Sequence, residues 1–96
     1  MAAYVIAERL DQWDDTVFAA YGPLAAASID KFGGRYLAKG TDVGVLEGSG
    51  SPPLAMAVLE FPSRAQAEAW FASDDYQAAA GIRRGGARNR FLVIEA

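Results

Sequence analysis

Residues 54–61 read LAMAVLEF, and the fold turns on how that run is interpreted. It has the length of a β-strand, contains no glycine or proline, and follows the turn-rich GSGSPP of residues 48–53. Successive side chains of a strand point to opposite sides, so Leu54, Met56 and Val58 share one face while Ala55, Ala57, Leu59 and Phe61 share the other. A sheet with one wet face alternates apolar and polar residues, and this strand does not. The closing run RFLVIEA, residues 90–96, repeats the pattern, with Phe91 and Val93 opposing Leu92 and Ile94. Both faces of the sheet therefore require cover.

Working outward, residues 3–10, AYVIAERL, form a first strand rich in β-branched and aromatic residues. Asp11 then reads as a helix N-cap with Asp14 in the first turn, where a negative charge meets the positive end of the helix dipole. Val17, Tyr21, Leu24, Ser28 and Phe32 recur at helical spacing, and Gly22-Pro23 predicts a kink or two abutting helices. Gly33 and Gly34 stand where a helix C-cap favours a left-handed backbone. RYLAK, residues 35–39, is a second strand whose Arg35 and Lys39 suit an exposed edge, and it is expected to continue past a break at Gly40–Asp42 through residues 43–47. After the strand at 54–61, Ser63 and Gln66 make a capping box. That helix runs through Trp70 and Phe71, and Asp74 caps a second piece carrying Tyr76. Residues 83–89 are a loop before the last strand.

The order βαββαβ predicts an α+β, ferredoxin-like arrangement: an antiparallel four-stranded sheet with the helices on one face. Helices on one side leave the other face bare. A second copy of the chain is the economical cover, so a homodimer with sheet packed on sheet is expected.

The 96 residues suit one domain, 1–96, and the apolar fraction of 52% is generous although much of it is alanine. The chain has no cysteine and no histidine. That removes disulfides, thiolate chemistry, the Ser-His-Asp triad, the usual zinc sites and the usual neutral-pH base. Any general base must be a carboxylate, tyrosine or lysine. Oxygen-only Mg²⁺ or Ca²⁺ sites stay open, but no EF-hand spacing occurs, and neither a metal nor a cofactor is expected. A net charge of −3 argues against a nucleic-acid partner. The start lacks a basic n-region and no run approaches the length of a membrane span, so no membrane partner and a cytoplasmic location are expected.

Several stretches invite a chemical reading. In FGGRYLAKG, residues 32–40, the glycines follow a helix and precede a strand, the reverse of a dinucleotide fingerprint, so they are read as a turn. SIDK, residues 28–31, matches Ser-x-x-Lys but lacks the accompanying motifs, and Ser28 falls on the buried face. RRGGARNR, residues 83–90, is a single solvated loop and not a repeated RNA-binding tract. Arg83 alone stands out, because an inward arginine requires a partner: Glu60 or Glu95, or the anion of a ligand. Trp13, Tyr21, Tyr36, Trp70, Phe71 and Tyr76 form an aromatic set able to line a pocket, with Phe71 read as core. Glu60 ends an apolar strand face, where desolvation would raise its pKa and fit it for acid–base work, or where it pairs with Arg83 or Arg35.

FGGRYLAKG, then LEG at 46–48, then EFPSRAQAEAWFASDDYQ at 60–77, an arginine, and a terminal VIEA resemble the family known as domain of unknown function 1330. The resemblance covers nearly the whole chain. Members of that family are similar to dimeric α+β barrel proteins, so the resemblance implies that fold and a dimer but no particular reaction. Relatives of the barrel type include cofactor-free monooxygenases, lactone isomerases, polyketide cyclases, haem enzymes and ligand-sensing domains; haem, held by histidine in such relatives, finds none here. The family pattern falls on Tyr21, Gly33, Gly34, Arg35, Tyr36, Glu47, Gly48, Glu60, Phe61, Trp70, Ser73, Tyr76 and Arg83. Phe71 departs from it, standing where tyrosine is frequent, and Ala96 follows Glu95 where glycine is common.

The resulting expectation is a small-molecule-binding protein doing cofactor-free acid–base chemistry on a small carbonyl-bearing or aromatic acid. Glu60, Tyr76 and Tyr21 are its candidate catalytic residues, and Arg83, Tyr36, Trp70 and Arg35 its candidate ligand-binding residues. The alternative is a non-enzymatic homodimeric module for ligand sensing or assembly.

Overall fold

A computed structural model describes residues 1–96. Four strands, β1 (Ala3–Gln12), β2 (Arg35–Gly40), β3 (Ala55–Phe61) and β4 (Ala87–Glu95), alternate with α1 (Phe18–Lys31), α2 (Arg64–Ala72) and α3 (Asp74–Arg83). The sheet order is β2-β3-β1-β4 with every pair antiparallel, which is the α+β ferredoxin-like arrangement expected from the sequence. No helix is long and apolar enough to cross a membrane.

Register fixes the two faces of the sheet. Val5 lies opposite Leu59 on one side and Val93 on the other, so these three share the face beneath the helices. Leu59 and Phe61 join Ala25, Ile29, Trp70, Tyr76, Ala79 and Ala80 in the core. Trp70 sits at its centre, 4.4 Å from the Tyr76 ring and 5.2 Å from the Phe61 ring. The opposite face carries Ile6, Met56, Val58, Leu92 and Ile94, with Leu92 40% and Ile94 57% exposed.

The junction of α1 and β2 is built by two glycines with different duties. Gly33 adopts φ +77°, and its N–H donates to the Asp30 carbonyl at 3.0 Å while that of Gly34 donates to Ile29 at 2.9 Å. This double bond pattern satisfies the last carbonyls of the helix and turns the chain. Gly34 is required for space, since a Cβ there would lie 2.5 Å from the Phe61 ring. The Gln66 side chain, expected to close the capping box, donates instead to the Phe32 carbonyl at 2.8 Å. Ser63 does cap α2, accepting from the Gln66 N–H at 3.1 Å.

Four local expectations are corrected. Asp11 is not a helix cap: β4 begins at Ala87, inside the stretch read as a loop, and supplies partners that carry β1 through Gln12, with Asp11 opposite Arg88. Asp14 is the cap, its carboxylate accepting from Thr16 N–H at 3.0 Å at the start of a 3₁₀ turn, Asp15–Val17. Of the two outcomes expected at Gly22-Pro23, two abutting helices are ruled out, since α1 runs on through Pro23. The carbonyl left without its usual donor belongs to exposed Ala19, where water can serve it. Ser73, not Asp74, caps α3, accepting from Tyr76 N–H at 3.1 Å while donating to the Trp70 carbonyl at 2.6 Å. Finally, β2 stops at Gly40. Gly40 already lies opposite Met56, so β3 has almost no length left to pair with residues 43–47, and the chain leaves as a loop.

Candidate functional site

The helix-side face of the sheet is floored by small residues. Ala7 on β1 and Ala55 and Ala57 on β3 point toward α1, which leans mainly on α3 and not on the sheet. Three methyl groups cannot fill the gap beneath a helix, and a cleft of about 410 Å³ results. Phe18 and Tyr21 of α1 roof it, Tyr36 and Lys39 of the exposed edge strand stand at its side, and Trp70 and Phe91 close its inner end. Its polar lining comes from Arg9, Tyr21, Tyr36, Lys39, Thr41 and Asn89, and no carboxylate is among the lining residues.

Behind this wall lies a buried polar cluster. The Tyr21 and Tyr76 hydroxyls are 2.9 Å apart, joining α1 to α3. Tyr76 has no exposed surface, and burial, reinforced by Tyr21, raises its pKa so that it stays a neutral phenol. Arg83 follows Tyr76, Ala79 and Ala80 along the buried stripe of α3 and is only 3% exposed. Its guanidinium lies 5.3 Å from the Phe91 ring centroid and 5.6 Å from that of Tyr21, within cation–π reach of both. The four ion pairs of the chain join Lys31 to Asp75, Arg35 to Glu60, Arg64 to Glu68 and Arg90 to Glu8. Arg83 is in none of them, so neither Glu60 nor Glu95 is its partner.

Arg9, on β1, is a second cation without a carboxylate. Its guanidinium stacks 3.9 Å from the Phe18 ring centroid and Nη1 donates to Gln12 Oε1 at 3.0 Å. Desolvation lowers its pKa, opposed by Tyr21 and reinforced by the nearby Arg83 charge. Tyr36 is also shifted, upward, mainly by burial.

The predicted site residues thus divide. Tyr21, Tyr76 and Arg83 meet in one cluster, and Tyr21, Tyr36 and Trp70 line the cleft. Glu60 and Arg35 lie elsewhere: they face each other across β3 and β2 on the opposite side of the sheet, with Arg35 Nη2 at 2.7 Å from Glu60 Oε1. Leu59 and Phe61 point into the core, so the residue between them must point away. The expected rise in the Glu60 pKa is reversed, because the hydrogen bond from Arg35 lowers it. Trp13 is 61% exposed and bonds the Gly85 carbonyl outside the cleft, while Phe71 packs in the core against Tyr76 and Phe91. Arg9 and Asn89 were missed. The signal was strand parity, since Arg9 falls on the same side as Val5 and Ala7.

Among solved structures, the chain is similar to a protein of unknown function from Rhodopseudomonas palustris, with 16% identity over 99% of this chain and 82% of that one and a TM-score of 0.78. SnoaB, a cofactor-independent oxygenase from Streptomyces nogalater, matches at 9% identity, 99% and 92% coverage, and a TM-score of 0.68. A dimeric ferredoxin-like protein of unknown function from Jannaschia sp. CCS1 matches at 16% identity over the full length of both chains with a TM-score of 0.64. At such identities these likenesses speak to the fold alone. No curated protein matches the sequence. The family model described as domain of unknown function (DUF1330) matches residues 2–96, and with that extent of match the chain belongs to this family.

Proposed function

We propose that the chain is a homodimeric small-molecule-binding protein whose cleft takes a small carbonyl-bearing or aromatic acid. The observation that carries this reading is Arg83, a buried guanidinium with no carboxylate partner beside a cleft that no carboxylate lines. Burying a charge without its counter-charge costs several kcal/mol, of order of magnitude, and an anionic ligand in the cleft supplies negative charge across the wall of Tyr21 and Phe91. Tyr21 acts as a hydrogen-bond donor at the anionic end, backed by the buried Tyr76 hydroxyl 2.9 Å behind it, while Trp70 and Tyr36 face the apolar body of the ligand. Raised phenol pKa values keep Tyr76 and Tyr36 protonated at neutral pH. With Arg9, Lys39 and the Tyr21 hydroxyl in its lining, the cleft is suited to stabilise negative charge developing on a carbonyl or phenol oxygen, which would be the protein's share of cofactor-free chemistry on such acids. A cofactor-independent oxygenase of the same fold supports the idea at the level of architecture only. Glu60 has no part in this reading, being on the other face.

The apolar outer face of the sheet supports the dimer, and the dimeric structural neighbours point the same way. A second reading, binding without turnover, is favoured by the lack of a carboxylate in the cleft, which leaves only tyrosine and lysine there as candidate bases.

The test is a thermal-shift survey of wild type and Arg83→Gln against small organic acids and aromatic metabolites. An acid that stabilises wild type but not the folded variant supports the reading, and assays for its conversion then separate enzyme from binding module. If no acid shifts wild type, and Arg83→Gln folds and melts like wild type, the reading fails.

A further inference from the structure

Three buried side-chain polar atoms in the chain have no hydrogen-bond partner: Arg9 Nε, Arg83 Nε and Asn89 Oδ1. Buried polar groups are ordinarily paired, so each orphan calls for a reason. These three are not scattered. Arg9 and Asn89 lie directly opposite each other on β1 and β4, and both line the cleft. Arg83 stands one layer behind, its guanidinium against the Phe91 and Tyr21 rings that form the wall.

From this juxtaposition we infer that Arg9 and Asn89 are the residues that grip the ligand directly, and that the ligand carries a hydroxyl beside its carboxylate: a 2-hydroxy acid or an ortho-hydroxy aromatic acid. The inference rests on the proposed cleft and narrows it. Arg9 is held in advance of binding. Phe18 stacks on its guanidinium and Gln12 takes Nη1, which leaves Nε buried and without a partner. A guanidinium edge offers two parallel N–H donors, the geometry that fits a carboxylate. Asn89 Oδ1 is an acceptor and repels a carboxylate oxygen, so it asks for a donor on the ligand. Directly opposed residues of an antiparallel pair have Cβ atoms about 5 Å apart. Two functions on adjacent atoms of one small molecule span that interval. Arg83 acts through Tyr21 and Tyr76 as a positioning residue, adding positive charge behind the site without lining it.

The experiment is isothermal titration calorimetry with two ligand pairs that differ by one hydroxyl: mandelate against phenylacetate, and salicylate against benzoate. Wild type is expected to bind the hydroxy acid of at least one pair about tenfold more tightly, the worth of one buried hydrogen bond. Asn89→Ala should erase that preference while leaving the affinity for phenylacetate or benzoate within about twofold, since only the hydroxyl contact is lost. Arg9→Gln should weaken both members of the pair by roughly 10- to 100-fold, the range of a charge-assisted hydrogen bond, and Arg9→Lys should recover only part because it lacks the fork. Circular dichroism and melting of each variant establish that it is folded. Loss of binding in Arg83→Gln but not in Arg9→Gln, or a hydroxyl preference that survives Asn89→Ala, overturns this inference and leaves the acid-binding cleft standing. No binding of any of the four acids to wild type, together with no stabilising acid in the thermal-shift survey, overturns both.

Discussion

Replacing Ser28 by alanine removes one oxygen atom and should destabilise the protein far more than that loss of volume implies. Ser28 Oγ donates to the Ala25 carbonyl at 2.7 Å and accepts from Trp70 Nε1 at 3.0 Å. Ser28 is 2% and Trp70 1% exposed, so water cannot replace the hydroxyl without opening the core. The variant leaves a buried indole N–H with no acceptor, which costs about 1–3 kcal/mol. Taking about 2 kcal/mol and about 4–8 °C per kcal/mol for a domain of this size, the melting temperature should fall by roughly 8–16 °C. Thermal and urea unfolding at one fixed protein concentration measure it, which matters if the protein associates. The decisive control is Trp70→Phe, which keeps a ring against Tyr76 and Phe61 but has no N–H to satisfy. In that background Ser28→Ala should cost less than about 0.5 kcal/mol, giving a coupling of about 1–2 kcal/mol. Equal costs in both backgrounds, or a melting temperature within about 2 °C of wild type, would refute the assignment of Ser28 as the acceptor for Trp70.

Gly34→Ala drives a methyl group to 2.5 Å from the Phe61 ring, which is 1% exposed and wedged against Trp70, so a loss of about 1–3 kcal/mol is expected in urea unfolding; a change under about 0.5 kcal/mol would show that the ring moves freely. Because Arg35 holds the Glu60 pKa below its ordinary 4.5, the ion pair contributes fully above that value and its contribution is lost as the pH falls through the lowered one. Urea midpoints of wild type and Glu60→Gln should therefore differ most near neutrality and converge in acid; a gap that does not change with pH would contradict the pairing. Wild type should scatter light as a dimer and Val58→Glu, which places a charge in the middle of the apolar outer face, as a monomer; a monomeric wild type or a dimeric variant would refute sheet-on-sheet packing.

Much of the architecture was legible because its determinants are local or periodic. The unbroken apolar run of LAMAVLEF identified a strand with two apolar faces, and Gly33-Gly34 marked the end of α1. What escaped was set by pairing. Asn89 and Arg88 look like loop residues until β1 is seen to extend far enough to pair with them, and Trp13 and Asp14 N–H groups close that end on the Gly86 carbonyl. Gln66 forsook its own helix start because the Phe32 carbonyl lay within reach, a fact of tertiary packing that spacing does not encode. The site was half legible in the same way. Tyr21, Tyr76 and Arg83 follow helical stripes that converge, whereas the place of Glu60 depended on which face the helices chose to cover. Arg9 was visible as a charge on a buried parity but looked like the polar end of a strand.

The alanine floor under α1 has an evolutionary consequence. Because the cleft lies over the small side chains of Ala7, Ala55 and Ala57, its capacity is set one side chain at a time, with Ala55 the position outside the core packed around Trp70. Enlarging any of the three narrows the cleft from its floor, on the side away from Phe18 and Tyr21. A lineage built on this chain can thus resize the cleft and keep its polar lining, with the sheet acting as an adjustable gauge.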